Sequence, residues 1–462
     1  GTQAISVSTD PAVAVAFNDI PFIRNHFFEQ EFYDVSSVEV LRGPQGTLYG
    51  RNATAGVVNL ISAKPSDQFE AMASADIGNY QNRRFEGMLN IPIIGDKLDV
   101  RVAGEWTKRK GYSYNDETQK SVDGRDLWST RATVRFHPTE NLTADLIWEH
   151  FQEKDDRLRS GKQLCTRDVV PDFVDGPAGP QAAASAIGGD WLSQGCKPSS
   201  LYGPAAFETP NAAAFPPIAA LSGVFIAYIP YFADPYAGVA QSQSLRVIDS
   251  LLDPAYSAKN DTIELSVDYN VTGELTLTSQ TGYNKDSLYS TEDFNRFNTA
   301  PGLFVGGPVG GLIGQDGEFC DPQLGCSSRL VGEDVSQEHA YQFSQELRLS
   351  SNFSGPLNFS VGGNFLHYQT VEDYYVLLNA LTLLTEFYNA WGGGGIGGVD
   401  GAHDPFDPVT ANSCDPQPAD PNNNAGVFLG LGCGYIDPNP LSQIDGQGHN
   451  YFRSQNPYRL NS

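Results

Sequence analysis

The chain has 462 residues, of which 40% are apolar and 18% charged, with 47 glycines, 21 tyrosines and 26 phenylalanines but only 2 methionines. Its charge is too sparse for a disordered chain and its apolar content too low for a bundle of membrane helices, whereas aromatic, Gly-rich composition is common to barrels and sandwiches. A formal net charge of -26 excludes a nucleic-acid binder, which needs a basic footprint.

Residues 1–65 read as a small globular domain. Its short β-like runs at 12–17, 35–41 and 57–61 are too brief to span a membrane and are linked by Gly/Pro/Asn-rich segments. Gly43, Gly46, Gly50 and Gly56 permit turns or close backbone approach, and Pro44 fixes its own φ. Lys64-Pro65-Ser66 is the exit linker.

From Glu70 onward, in residues 66–462, apolar and polar residues alternate in segments of bilayer-spanning length, about 9–11 residues each. In 262–271, Ile263, Leu265, Val267, Tyr269 and Val271 share one face, and Glu264, Ser266, Asp268 and Asn270 the other. Comparable runs lie near 70–79, 82–92, 98–106, 128–136, 141–152, 274–286, 340–351 and 357–365, about nine strands in all. Gln345 interrupts its apolar face between Phe343 and Leu347.

Alternation alone also suits a soluble sandwich, but the connections separate the two. Links at 94–97, 138–141, 272–274 and 352–356 are tight, whereas those at about 154–258, 287–337 and 370–462 are long. Short turns on one side and long loops on the other are the pattern of an outer-membrane barrel with extracellular loops; the short link near Tyr80 is the exception. Trp106, Trp128, Tyr283, Tyr341 and Phe343 fall at the predicted outer strand ends, and Phe136 and Tyr269 at the inner ends, where membrane–water interfaces favour aromatic rings. In the uncharged stretch 211–233, Pro216, Pro217 and Pro230 break any spanning helix.

Six cysteines allow about 15 pairings, but they fall as sequence-close pairs, Cys165/Cys196, Cys320/Cys326 and Cys414/Cys433, each in one predicted outer loop. No His stands nearby at zinc-ligand spacing, so local disulfides in an exported protein are expected. No nucleophile elbow, P-loop, paired Cys-x-x-Cys or His-Glu-x-x-His occurs, and the Gly-rich runs 306–314 and 392–398 lack a following Lys-Ser/Thr. Asp155/Asp156 sit as solvated loop charge. An enzyme, a cofactor or a resident metal is therefore not expected.

The stretch from Val38 to Ser62 carries the strongest signal: a hydrophobic strand ending Glu39-Val40-Leu41-Arg42-Gly43-Pro44, then Gly46, a Tyr49-Gly50-Arg51 turn, Gly56, and a strand containing Val58-Asn59. In order and spacing it closely resembles the plug of TonB-dependent receptors, with Ala55 where relatives often carry a second Gly. Gln345-Glu346-Leu347-Arg348-Leu349-Ser350-Ser351 is similar to a barrel strand of the same family.

The resemblance implies an all-β transmembrane barrel, here about nine antiparallel strands of about 22, with a small α+β plug at its N-terminus. It implies a monomer in the outer membrane of a Gram-negative bacterium, surrounded by lipid and driven by TonB, that imports a large scarce nutrient. An Fe(III)-siderophore is the default ligand, with cobalamin or an oligosaccharide as alternatives. It also implies that Arg42 faces barrel glutamates as a latch, with Glu264 and Glu346 as candidate partners; a solvated or intra-plug ion pair is the plainer alternative for Arg42. Measured against complete family members, the chain is expected to be a partial one, without the TonB-contacting segment, the first half of the plug and the closing strands.

A passive porin would lack the N-terminal plug, and a secreted β-rich protein would bury its apolar faces in a core. The aromatic stretches 215–232 and 374–391 suit either a ligand mouth or loop packing, so no ligand-binding residue is assigned.

Overall fold

The computed structural model describes residues 11–24, 32–50, 52–159, 161–167, 173–176, 179–182, 196–197, 199–210, 236, 238–293, 298–303, 317–321, 323–379, 382 and 460–461. Within the first 65 residues the runs of β-branched residues form β1 (Val13–Phe17), β2 (Ile20–Phe22), β3 (Val35–Arg42) and β4 (Gly56–Ser62), with the single-turn helix α1 (Gly46–Tyr49) between β3 and β4. They make one sheet in the order β2-β1-β4-β3. β1 runs parallel to β4, and the β1–β2 and β3–β4 pairs are antiparallel.

Nine long strands follow: β5 (Glu70–Gly78), β6 (Asn82–Ile94), β7 (Leu98–Arg109), β8 (Arg125–Thr139), β9 (Leu142–Asp155), β10 (Ala255–Thr272), β11 (Leu275–Asp293), β12 (Gly332–Ser351) and β13 (Ser360–Leu378). Each is antiparallel to its sequence neighbour, and together they form one continuous sheet in chain order. The short link near Tyr80 is a hairpin turn in which Tyr80 (φ 58°) and Gln81 (φ 57°) both adopt the left-handed conformation that matches strand twist.

Burial in this sheet is inverted relative to a soluble protein. On β10, Leu265 is 38% exposed while its neighbour Glu264 is 2% exposed. On β8, Trp128 is exposed while Ser129, Arg131 and Thr133 are buried. Val102, Leu146, Trp148, Ile263, Leu347, Val361 and Phe365 all project from the outward face, whereas Asn90, Asp99, Glu149, Asn260 and Asn284 are buried on the inward one. No second sheet of the described residues covers the outward face. Such a surface is stable where the solvent is hydrocarbon, and hydrocarbon requires a sheet whose peptide groups bond to one another.

The aromatic residues form a belt on that face. Trp106 lies opposite Trp128 across β7 and β8, and Phe85 stacks on Trp106 with ring centroids 5.7 Å apart. Farther round, Tyr283 lies opposite Phe343, whose ring is 6.3 Å from that of Phe365. Gln345 does face outward, but its amide is satisfied along the sheet: it accepts from the Thr281 hydroxyl at 2.6 Å and donates to Ser279 Oγ at 3.0 Å.

The strands β10 to β13 run 18 to 20 residues, well past their predicted outer ends. The extra length lies beyond the belt. There, residues such as Asp334, Val335, Ser336, Gln337 and Glu338 are buried on both faces, so the sequence no longer alternates although the ladder continues.

Candidate functional site: the seam between plug and barrel wall

The motif residues shape the plug sheet. Gly43 (φ 82°) and Gly50 (φ 73°) occupy left-handed turn conformations, and a Cβ on Gly56 would stand 2.5 Å from the carbonyl oxygen of Leu41 on the paired strand. Pro44 and Gly46 lead into α1, and Tyr49 packs against Ala14, Ala53 and Val57. Burial, with Asp19 and Glu39 close by, raises the Tyr49 pKa. Asn59 is fully buried on the central strand β4. It accepts from the Asp19 amide at 3.2 Å and donates to the Asp19 carboxylate at 2.7 Å and to Glu39 Oε2 at 3.1 Å. One side chain thus ties β4 to the β1–β2 turn and to β3. Arg51 lies outside the described residues.

This small sheet lies on the inward, polar face of the large one. Phe17, Phe22, Ile23 and Leu60 of the plug pack with Ala340 and Tyr368 of β12 and β13. Gly282 of β11 admits Ile20 so closely that a Cβ there would stand 2.8 Å from Ile20 Cγ2. Gln342 on β12 accepts from the Ile23 amide at 2.8 Å and donates to the Pro21 carbonyl at 2.7 Å.

The ionic contacts of the seam differ from the sequence expectation. Arg42 does not meet Glu264 or Glu346; it is exposed at the end of β3. Glu264 instead accepts from Asn18 Nδ2 at 2.9 Å, and Glu346 pairs with Arg348 at 3.3 Å. The seam's arginines belong to the wall. Arg101 grips the Asp34 carboxylate through Nε at 2.9 Å and Nη2 at 2.5 Å. Arg131, 1% exposed, pairs with Glu149 at 2.7 Å and donates to the backbone carbonyls of Tyr33 at 3.3 Å and Asp34 at 3.2 Å. Its guanidinium also lies 4.7 Å from the Tyr33 ring centroid and 5.2 Å from that of Phe17. The Tyr33 hydroxyl, whose pKa burial and then Glu149 push far above the usual phenol range, is within 3.0 Å of Ser129 Oγ. The seam therefore combines directional bonds with an apolar cluster of Phe17, Phe22, Ile23, Leu60, Ala340 and Tyr368, and both hold the small sheet on the wall.

At the outer end, separate loops are bound together. Ser113–Asn115 pairs with Lys120–Val122 and, in parallel, with Val247–Ile248 of the long loop. Asp253 accepts from Lys120 at 2.8 Å, Thr118 at 2.6 Å and Asn115 at 3.0 Å, and Arg329 of the next loop pairs with Glu117 at 2.9 Å. Disulfides join Cys165 to Cys196 and Cys320 to Cys326. Cys414 and Cys433, the stretch 215–232 and most of 374–391 lie outside the described residues; Tyr374 projects from β13 toward Asp334, 3.4 Å away.

Comparison with known proteins finds partial relatives of this chain. Residues 5–57 match the model of the TonB-dependent Receptor Plug Domain. Over 140 residues the chain is 30% identical to the Pesticin receptor of Yersinia pestis, covering 30% of this chain and 20% of that protein. Over 85 residues it is 41% identical to the Catecholate siderophore receptor Fiu of Escherichia coli K12, covering 18% of this chain and 11% of that protein. The chain thus spans a fifth or less of the curated relatives it matches. Among solved structures, the open form of the ferric-catecholate import receptor Fiu from E. coli K12 superposes with a TM-score of 0.46 at 17% identity, over 79% of this chain and 43% of that one. The siderophore receptor PiuA of Acinetobacter baumannii does so with a TM-score of 0.46 at 13% identity, over 78% and 38%. The plug motif is thus matched in sequence and its sheet is docked on the polar face of a sheet that is apolar outside, so residues 5–57 carry a TonB-dependent Receptor Plug Domain and the chain is similar over part of its length to receptors of the Gram-negative outer membrane.

Proposed function

We propose that this chain forms part of an active importer that captures a large iron(III) chelate, a siderophore complex, on its outer loops and admits it to the periplasm when TonB draws on the plug. The observation that carries the transport reading is the seam: a small sheet hydrogen-bonded to the inward, polar face of the large one, with Asn18 bonded to Glu264 and Asp34 to Arg101. The ligand class rests on the named relatives, one of which is a catecholate siderophore receptor. No covalent chemistry belongs to this reading; the work is binding, gating and release.

The test is uptake of radiolabelled iron(III)-catecholate by cells whose only such receptor is the full-length protein. Accumulation that collapses when a protonophore dissipates the inner-membrane gradient, with surface binding retained, supports the proposal. Uptake indifferent to the protonophore makes the protein a passive pore. Normal energised transport of another large nutrient, with no chelate binding, retains the transporter and removes the siderophore.

A further inference from the structure

We propose that three outer loops form a proton-sensitive clasp, loose while Asp249 is ionised and drawn together by mild acid outside the cell. Its chemistry does not depend on the transported ligand.

Backbone pairing brings two acids together. Val247–Ile248 of the long loop lies parallel to Ser113–Asn115 of the loop between β7 and β8. Tyr114 N donates to Arg246 O at 2.7 Å, and Asp116 N to Ile248 O at 2.9 Å. Asn115, fully buried, holds Ser250 through both its amide atoms: Nδ2 donates to Ser250 O at 2.9 Å, and Oδ1 accepts from Ser250 N at 3.1 Å. Asp249 and Glu117 therefore leave the end of one short ladder side by side, and neither backbone can withdraw without breaking these bonds. The third loop, between β11 and β12, supplies the donor that both acids share. Asn298, itself buried, gives Nδ2 to Asp249 Oδ1 at 2.9 Å and to Glu117 Oε2 at 3.2 Å. Those two oxygens lie within about 6 Å of each other, close enough for like charges to repel. Arg329, at the far end of the third loop, pairs with the same Glu117 oxygen at 2.9 Å. Thr299 Oγ1 accepts from Leu330 N at 3.0 Å and so fastens Asn298 and Arg329 to one another.

The ionised Asp249 is poorly compensated. It faces Glu117 and Asp116 from the first loop, Arg329 from the third and Lys162 from the root of its own loop. Arg329 is engaged by Glu117, and Lys162 donates to Val247 O at 2.9 Å and to the Ser242 carbonyl. Burial, and then Glu117, raise the Asp249 pKa above its ordinary value. Opening the clasp returns that carboxyl to the ordinary range, ~4. The closed form therefore binds a proton more tightly than the open one. Closure is favoured as pH falls through the raised value, and the gain is complete below the ordinary range. Asp253 sets the lower limit. Burial raises its pKa, but bonds from Lys120, Thr118 and Asn115 hold it below its ordinary value, so its anchoring survives until the pH falls through that lower value. Between the two limits both carboxyls favour closure, and the clasp is tightest in mild acid.

The test is hydrogen exchange of the full-length receptor in neutral vesicles, read by mass spectrometry, with each rate divided by the intrinsic rate at that pH. Protection of the segment holding the Tyr114 and Asp116 amides should rise at least about two-fold between about pH 7 and about pH 5. Asp249→Asn removes the charge and keeps an oxygen toward Asn298, so it should show the higher protection throughout and lose the pH dependence. Asp249→Ser should lose the pH dependence as well, whatever level of protection it retains. Asp253→Asn should lower protection yet keep the rise. Heat-modifiable migration on gels shows that each variant is folded. Flat or falling protection in the wild type, or a rise that survives in both Asp249 variants, overturns the proposal. A rise that disappears in Asp253→Asn would assign the titration to that carboxyl and overturns it too.

Discussion

Arg131 and Arg42 set the residue scale, because they exchange the roles that the motif suggests. Arg42 ends a recognisable strand and looks like the plug's charged contact, yet it is exposed. Arg131 sits in a strand whose alternation marks it only as polar-facing, yet it is buried between Glu149 and the Tyr33–Asp34 backbone. Removing one partner of a buried pair leaves an uncompensated charge, so Arg131→Ala should cost about 3–5 kcal/mol and free the plug to proteases. Arg131→Lys keeps the charge but loses the fork and the ring contacts, and should fall between. Arg42→Ala should change stability by less than about 0.5 kcal/mol in the same denaturation assay. Gly56→Ala tests the motif itself: with Leu41 O 2.5 Å from the new Cβ, β3 and β4 must separate, at about 1–3 kcal/mol. Unchanged melting of Gly56→Ala would mean that the two strands yield more easily than their ladder suggests.

At the scale of elements, legibility followed the number of independent constraints. Where one face meets lipid and the other a polar lumen, as in β10, period-two alternation fixes both existence and facing, and Leu265 and Glu264 are placed as read. Past the belt, β12 is buried on both faces although most of its own residues there are polar, so its ladder is invisible to a hydrophobic pattern. The same holds for the seam: which lumen arginine meets which plug carbonyl depends on the register between two sheets, and alternation carries no such information. The loop strap, likewise, is a product of distant polar residues. Burial would raise the Asp253 carboxyl pKa, but bonds from Lys120, Thr118 and Asn115 outweigh it and hold the group below its ordinary value. Its contribution is therefore complete above the ordinary carboxylate range, ~4, and is lost as pH falls through the lowered folded value. Asp249 runs the other way: burial and then Glu117 raise its pKa, so protonation relieves it. The difference between wild type and Asp253→Asn isolates the strap. Protease cleavage within 156–254 should be faster in Asp253→Asn at pH 7, and the two should converge as the medium is acidified through that range. A gap that persists in acid would assign the protection to something other than this carboxylate.

For the whole molecule, the decisive quantity is the sign of a substitution on the outward face. Leu265 is 38% exposed, and in water an Arg there would be neutral or helpful, since exposed apolar surface gains little by staying apolar. In a bilayer midplane the same change costs about 2–4 kcal/mol, and the cost falls toward the interfaces. Leu265 lies between the outer belt and Tyr269 at the inner end, so it samples the expensive zone. Leu265→Arg should therefore lower folding into neutral vesicles by about 2–4 kcal/mol. By contrast, Lys259→Arg, beyond the belt on the same strand and face, should change it by less than about 0.5 kcal/mol. The two positions share strand, face and hydrogen-bond ladder, so propensity and register cannot separate them; only depth in hydrocarbon does. Equal and small effects at both would mean that this face meets water, and with it the polar inward face and the plug seam would lose the membrane frame that gives them meaning.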